Sequence, residues 1–257
     1  MNIVVCIKQT FDTETKITIK DDQIDDSGVG LIINPYDELA LEEALRLKEK
    51  CGDGEVILVS MGGESVQKAL RTGLAMGADR AILVDTPAHH GADEWAAAAI
   101  MAKAISGIMY DIILAGRVAV DDGSGQVAIR LAEILGIPSV NSIVKLDIVD
   151  KKAAVTREID GGVEKIEVDL PVVLTAQKGL NQPRLPSMAG IMKAKQKELT
   201  IVTLADIGLS PDELASKAKI VQFSLPKPRL ARKNISGEAA EQAKELARLL
   251  REEAKVI

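Results

Sequence analysis

Residues 55–85 read EVILVSMGGESVQKALRTGLAMGADRAILVD. The stretch opens with an apolar run, continues with apolar residues at helical spacing, and closes with a second apolar run. Short apolar runs that are bounded by polar or turn residues are typical of strands buried on both faces of a parallel sheet. The stretch therefore predicts a strand–helix–strand unit with a crossover helix.

The same unit recurs through the first half of the chain. Apolar runs lie at NIVVCIK (2–8) and YDIILAG (110–116), and helical patterns lie at DELALEEALRLKEKCG (37–52) and DEWAAAAIMAKAI (93–105). Each helical pattern has an acidic residue at or near its start, which suits the positive end of a helix. Together they predict an α/β fold with a doubly wound, mostly parallel sheet of the adenine-nucleotide-binding, Rossmann-like type.

Two segments interrupt this alternation, and a third follows it. Residues 15–34 and 144–176 alternate apolar and polar residues around Asp and Gly turns, which predicts a hairpin and then an antiparallel excursion. After about residue 180 the stretches 181–198 and 225–236 are rich in Pro and Lys and lack a core pattern. A last helix opens near Ser236 with a thin apolar face. We expect an arm and a helix that wrap around a partner subunit.

Composition sets limits on function. The chain has 257 residues, a net charge of −6, 47% hydrophobic residues and only 2% aromatic residues. One α/β domain with additions fits this length. Nucleic-acid binding is not expected, because it depends on Lys and Arg that neutralise phosphates. The first residues already read as a core strand, and no apolar segment is long enough to span a bilayer. We therefore expect a cytoplasmic protein.

Few residues indicate catalysis. Cys6 and Cys51 match neither a redox pair nor a zinc site, and His89 and His90 lie in a loop composition without nearby ligands. The chain has no Gly-x-Gly-x-x-Gly after its first strand, no Walker A motif and no Ser, His and Asp set. We assign no metal site and no catalytic residue. An adenine-nucleotide-hydrolysing enzyme of similar fold remains the opposing class.

The best candidate for a binding loop is GRVAVDDGSGQV (116–127). Small residues at Gly123–Gly125 let backbone N–H groups approach an oxygen anion, and the helix that starts near Gln126 adds its positive end. This pattern predicts a phosphate site. Asp121 and Asp122 would repel an anion, so we expect at least one of them to cap backbone N–H groups or to accept from a ribose hydroxyl. A plain helix-capping turn is the alternative.

The stretch REIDGGVEKIEVDLPVVLTA (157–176) resembles a signature of the electron transfer flavoprotein β subunit. The matching positions are Arg157, Asp160, Gly161, Gly162, Glu164, Ile166, Pro171 and Val173–Thr175. Three other stretches resemble the same family: 34–50, 69–84 and 183–195. The resemblance runs to about Leu209, which implies a nucleotide-binding domain at 1–209 with a recognition loop at 183–198. Residues 210–257 would form the arm and helix that wrap the partner.

The resemblance implies a heterodimer in which the α subunit carries most of the redox FAD site and this chain holds a buried AMP. The family's nucleotide-contacting positions fall on Cys6, Asn34, Pro35, Tyr36, Asp37, Met61, Gly116, Arg117, Val118, Ala119, Val120, Asp121, Asp122, Gly123, Ser124, Gly125, Gln126 and Val127. Some relatives bind a second FAD in place of AMP and bifurcate electrons. Those typically have Gly at the position of Asp122 and an acidic residue at that of Tyr36, so this sequence favours AMP.

The resemblance also implies partners. An electron carrier of this family takes electrons from acyl-CoA dehydrogenases of fatty acid β-oxidation, or related flavoenzymes, and delivers them to a quinone oxidoreductase at the membrane. It performs no bond chemistry itself. The recognition loop would bind the dehydrogenase through Pro186, Met188, Ile191, Met192 and Lys193, with Met188 as the anchor. Spacing alone favours another interpretation, in which Met188, Ile191 and Met192 are a helix face packed on the core.

Overall fold

The computed structural model describes residues 1–86, 92–210, 214–228 and 232–257. The strands are β1 (Ile3–Cys6), β2 (Gln9–Phe11), β3 (Ile19–Lys20), β4 (Gln23–Ile24), β5 (Leu31–Ile33), β6 (Val56–Gly62), β7 (Arg80–Asp85), β8 (Ile112–Gly116), β9 (Ser139–Val149), β10 (Lys152–Ile159), β11 (Gly162–Asp169), β12 (Val172–Ala176) and β13 (Leu199–Thr203). The helices are α1 (Pro35–Cys51), α2 (Val66–Met76), α3 (Glu94–Ser106), α4 (Val127–Leu135), α5 (Met188–Ala194) and α6 (Ala239–Glu252).

Nine strands form one sheet in the order β11-β10-β9-β12-β8-β1-β6-β7-β13. Strand β1 pairs in parallel with β6 on one side and with β8 on the other. The chain builds outward from β1 through β6 and β7, and then returns to the opposite side of β1 with β8. This reversal places a topological switch point between β1 and β8, where ligands bind in sheets of this kind.

Helices cover both faces of the sheet, which confirms the predicted doubly wound α/β class. Along β1, Ile3 and Val5 belong to a core cluster that includes Leu41 of α1, whereas Val4 belongs to a second cluster that includes Ile100 of α3. Successive side chains of a strand point to opposite faces, so a strand buried on both faces must be apolar throughout. The run at 2–8 has this composition.

Both predicted interruptions are present. Strands β3 and β4 pair as a hairpin, and β2 pairs with β5 in a separate two-stranded sheet. Strands β9, β10 and β11 form an antiparallel ribbon that extends one edge of the sheet, and β12 returns the chain between β9 and β8. The excursion therefore enlarges the central sheet and does not form a separate one.

Two features beyond residue 180 differ from the sequence analysis. Strand β13 was not predicted, yet it pairs in parallel with β7 and closes the other edge of the sheet. Helix α6 begins at Ala239 and not near Ser236, because Gly237 has a φ of 121°, which lies outside helical geometry. The histidine pair at 89–90 lies outside the described residues. Within the described ranges, no helix is long and apolar enough to cross a membrane.

Candidate functional site

The loops that follow β1 and β8 meet at the switch point. The ammonium Nζ of Lys8 lies 2.7 Å from Oδ1 of Asp121 and 2.6 Å from Oδ2 of Asp122. Lys8 is the second residue after the first strand, and the two aspartates lie in the loop after β8. We call Lys8, Asn34, Asp37 and residues 116–127 the switch-point site. Lys8 was not predicted, although a charged residue at the end of an apolar run could have indicated it.

Asn34 fixes the loop after β8 from the start of α1. Its side chain is buried, and its Nδ2 donates to the carbonyl of Val118 over 3.0 Å. Its Oδ1 accepts from the backbone N–H of Val120 over 3.2 Å. A side-chain amide that bonds both a carbonyl and an N–H of one loop holds that loop in a single conformation.

Asp37 ties the ends of β1 and β8 together. Its carboxylate is 5% exposed and accepts from the backbone N–H groups of Lys8, over 2.7 Å, and Gly116, over 2.9 Å. A Cβ atom on Gly116 would lie 2.3 Å from Oδ1 of Asp37 and 2.7 Å from Cβ of Tyr36. Only glycine fits at position 116, because α1 and the end of β8 approach so closely there.

Burial shifts the pKa values of the deepest groups. Burial raises the pKa of Asp37 to about 7 against the hydrogen bonds from Lys8, Asn34 and Gly116. Burial, and then the charge of Asp37, raise the pKa of the Cys6 thiol to about 12, so that thiol stays protonated at neutral pH. Although burial opposes ionisation of Asp122, hydrogen bonds from Lys8 and Ser124 hold the pKa of that carboxyl below its ordinary value.

The glycine-rich loop leads directly into α4. Oδ1 of Asp122 accepts from the N–H of Ser124 over 2.8 Å, which confirms that one aspartate bonds the loop backbone. Gly123 and Gly125 have φ values of 67° and 61°, which L side chains rarely adopt. No side chain among the described residues caps the N-terminus of α4. Its first N–H groups can therefore receive an oxygen anion.

The structure brings most of the predicted nucleotide positions to the carboxyl ends of the central strands. Cys6, Met61 and Gly116 lie at the carboxyl ends of the neighbouring strands β1, β6 and β8. Asn34–Asp37 lie at the start of α1 against the loop at 116–127. The arrangement offers backbone donors for an anion, but the described residues contain no cluster of His, Cys, Asp and Glu that could hold a metal ion.

A second candidate surface lies on α5, well apart in the chain. Met188 is 79% exposed, and Ile191 and Met192 are exposed beside it. We call these three side chains the α5 ridge. The interpretation that they pack on the core is wrong, because the buried residue of this helix is Ala194. Exposed apolar side chains that cluster in this way are typical of protein contact sites.

Ion pairs attach the start of segment 183–198 to α1. The guanidinium of Arg184 lies 2.8 Å from a carboxylate oxygen of buried Glu42 and 2.5 Å from one of Glu49. Arg46 pairs with the other oxygen of Glu42 over 2.8 Å. These carboxylates raise the pKa of Arg184 above its ordinary value, so its charge is permanent. The ion pairs therefore fix the position of Arg184 against α1.

Most of the described residues of the C-terminal segment are exposed. Of α6, only Leu249 is buried among the described residues, and the helix is rich in charged side chains. The segment is anchored near its start, where Leu214 is buried and the carboxylate of Asp93 accepts from the backbone N–H of Ala218 over 2.9 Å.

Comparisons with known proteins agree with this arrangement. A family model described as "Electron transfer flavoprotein domain" matches residues 22–207. The chain is 48% identical to an electron transfer flavoprotein subunit beta of Bacillus subtilis, with all of both chains covered. It is 48% identical to one of Syntrophomonas wolfei, covering 100% of this chain and 98% of the relative.

A further relative carries a different name. The chain is 43% identical to the Caffeyl-CoA reductase-Etf complex subunit CarD of Acetobacterium woodii, over 86% of each chain. The family match covers the chain from residue 22 to residue 207, which includes β6, β7 and β8, and the full-length relatives are β subunits. The chain therefore belongs to the electron transfer flavoprotein β-subunit family.

Proposed function

We propose that this chain is the β subunit of a heterodimeric electron transfer flavoprotein and holds AMP at the switch-point site. The start of α4 is the observation that carries the proposal. No described side chain caps it, two glycines with positive φ precede it, and it lies where the loops after β1 and β8 meet. FAD, shared with an α subunit, supplies the redox chemistry when it is bound. This chain contributes structure and a docking surface.

The residues of the switch-point site fit a nucleoside monophosphate. Backbone N–H groups at Gly125–Val127 would bond the phosphate oxygens. The ammonium of Lys8 offsets part of the negative charge of Asp121 and Asp122, which reduces their repulsion of an anion. Oδ1 of Asp121 accepts from Lys8 and from the N–H of Asp122, and its second oxygen would accept from a ribose hydroxyl.

The electrons would come from acyl-CoA dehydrogenases or related flavoenzymes and pass to a quinone oxidoreductase at the membrane. The α5 ridge would bind the dehydrogenase, with Pro186 and Lys193 at its margins. Unbranched methionine side chains adapt to pockets of different shape, which suits a carrier that serves several donors. The protein would work in the cytoplasm.

Residues 210–257 would wrap the α subunit. An isolated helix of 14 residues is marginal in water, so α6 needs a partner for its apolar face. Hydrogen exchange tests this proposal: amides at 239–252 should be protected in the heterodimer and exchange rapidly in the free chain. Equal protection in both would show that α6 does not depend on the α subunit.

A second candidate is an electron-bifurcating β subunit that binds a second FAD in place of AMP. The relative named for a Caffeyl-CoA reductase-Etf complex favours it. The carboxylate of Asp122 argues for AMP, because it bonds both Lys8 and the loop backbone where a longer ligand's pyrophosphate would need room.

One experiment separates the two candidates. The chain is co-purified with its α subunit, the nucleotides are released with acid, and FAD and AMP are counted per heterodimer. One FAD and one AMP support the proposal, whereas two FAD and no AMP support the bifurcating candidate. Release of neither nucleotide from this chain's site, with ATP turnover by the purified chain, would instead indicate a nucleotide-hydrolysing enzyme.

A further inference from the structure

Helices α2 and α5 cap each other's C-terminal ends. From α2, Nη1 of Arg71 donates to the carbonyl of Ala194 over 2.6 Å and to that of Lys197 over 2.7 Å. In return, Nζ of Lys197 donates to the carbonyls of Leu74, over 3.0 Å, and Ala78, over 2.5 Å. Both cations meet carbonyls at or just beyond the end of the other helix.

This exchange satisfies groups that helices leave unbonded. The last four carbonyls of a helix have no partner within it, and they carry the negative end of the helix dipole. A cation there stabilises the end of the helix. Because α5 is only seven residues long, it cannot hold its conformation through its own hydrogen bonds.

The two helices also meet backbone to backbone. A Cβ atom on Gly190 of α5 would lie 2.3 Å from the carbonyl oxygen of Ala75 in α2. Ser187 caps the other end of α5, where its side chain accepts from the N–H of Gly190 over 3.0 Å. The α5 ridge projects from the opposite side of this contact, because its side chains are exposed.

We propose that Arg71 is a positioning residue for the docking surface: it holds α5 against α2 so that the α5 ridge is presented in one fixed orientation. This inference rests on the proposed function, in which the α5 ridge binds a dehydrogenase. A preformed surface loses less conformational entropy on binding than a mobile one. Arg71 therefore strengthens docking without touching the partner.

The test uses the purified heterodimer and an acyl-CoA dehydrogenase reduced by its own substrate. Arg71→Met removes the guanidinium that donates both hydrogen bonds and keeps a long side chain. We expect the KM for the heterodimer to rise about fivefold to tenfold with kcat within twofold, and amides of 188–194 to exchange faster. Arg71→Lys, whose ammonium can donate to both carbonyls, should restore most of the KM. Lys68→Met is the matched control, because Lys68 is exposed on the same helix.

Several outcomes overturn the inference. If the exchange at 188–194 is unchanged in Arg71→Met, Arg71 does not hold α5. If exchange rises and KM does not, while Met188→Ala does raise KM, the orientation of α5 is irrelevant to docking. If Met188→Ala also leaves KM unchanged, the proposed docking surface is itself wrong. Should Arg71→Met not assemble, Arg71→Gln, whose shorter side chain cannot reach both carbonyls, is measured in its place, with faster exchange at 188–194 and a raised KM again expected and their absence again counting against the inference.

Discussion

At the switch-point site, buried Asn34 and Asp37 bond to the backbones of two loops, whereas on α5 Met188 and Met192 project into solvent. The first region is polar inside and is held by hydrogen bonds that water cannot replace. The second region presents apolar side chains to solvent. The helix that carries them is held against α2 by cationic side chains that donate to carbonyls at the helix ends. A change at the first region should therefore cost folding stability and ligand together, while a change at the second should cost only partner affinity.

The largest expected effect is the pH dependence caused by Asp37. Its pKa is about 7 in the folded chain against an ordinary value of 3.8, so the folded state binds the proton more tightly. The contribution of Asp37 to stability should therefore be fully present below pH 3.8 and be lost as the pH rises through 7, by on the order of 4 kcal/mol.

Asp37→Asn isolates this effect. The melting temperature of the heterodimer is measured from pH 4 to pH 8, and the difference between wild type and Asp37→Asn should shrink or change sign as the pH rises. The variant itself should show a flatter profile, since its amide does not titrate. A difference that is constant across the range would show that Asp37 is ionised throughout and would weaken the contrast between the two regions.

Gly116→Ala should lower the free energy of unfolding by about 3 kcal/mol, because the new methyl group would collide with Asp37 and with the backbone of Tyr36. Bound AMP should be lost with it. Gly107→Ala is the control, since its Cβ meets no described atom within 4 Å. The measurements are denaturant unfolding and nucleotide content. If Gly116→Ala behaves like the control, the close approach at the switch point does not constrain the site.

Met188→Ala should weaken docking of the dehydrogenase by on the order of 2 kcal/mol, or roughly thirtyfold, and leave melting and flavin content near wild type. The reason is that Met188 is exposed and fills no cavity of its own chain. Ala194→Met, which enlarges the buried residue of α5, should by contrast lower the melting temperature. Melting and reduction by the dehydrogenase over a range of concentrations give both quantities. Lower stability with unchanged affinity in Met188→Ala would contradict the assignment.

The smallest expected effect comes from two glycine variants that distinguish loss of bound AMP from backbone strain alone. Gly125→Ala and Gly136→Ala both place a methyl group at a φ above 60°, at opposite ends of α4, so each should cost about 1 kcal/mol of stability. Only Gly125→Ala should also lose AMP, because only that glycine borders the proposed phosphate position. Nucleotide counts after acid release decide the matter. AMP retained in full by Gly125→Ala would indicate a plain helix-capping turn.

Much of the fold was predictable because local patterns carry it. The apolar runs at 2–8 and 110–116 became β1 and β8, since a strand buried on both faces has no polar positions. Strand β13 was missed because it lies at a sheet edge, where only one side is paired and two of its five residues stay exposed. An edge strand needs no continuous apolar run, so its sequence looks like a loop.

The site was predicted in part. The glycines and aspartates at 121–125 indicated a loop before a helix, and that loop is present. The role of Lys8 was not visible, because its partners lie more than a hundred residues away in the chain. The role of Asn34 was assigned to a ligand, yet its side chain bonds the loop backbone at Val118 and Val120.

By itself, the sequence determined the class of sheet, its interruptions and the family, because periodicity and local motifs depend on residues that are neighbours in the chain. Tertiary structure alone decided which charges meet and which apolar residues stay outside. Lys8 reaches two aspartates, and Arg71 reaches the end of α5, only because crossover helices bring distant loops together. Met188 and Ala194 share one helix, but only the packing of α5 on α2 determines that Ala194 is buried and Met188 is exposed.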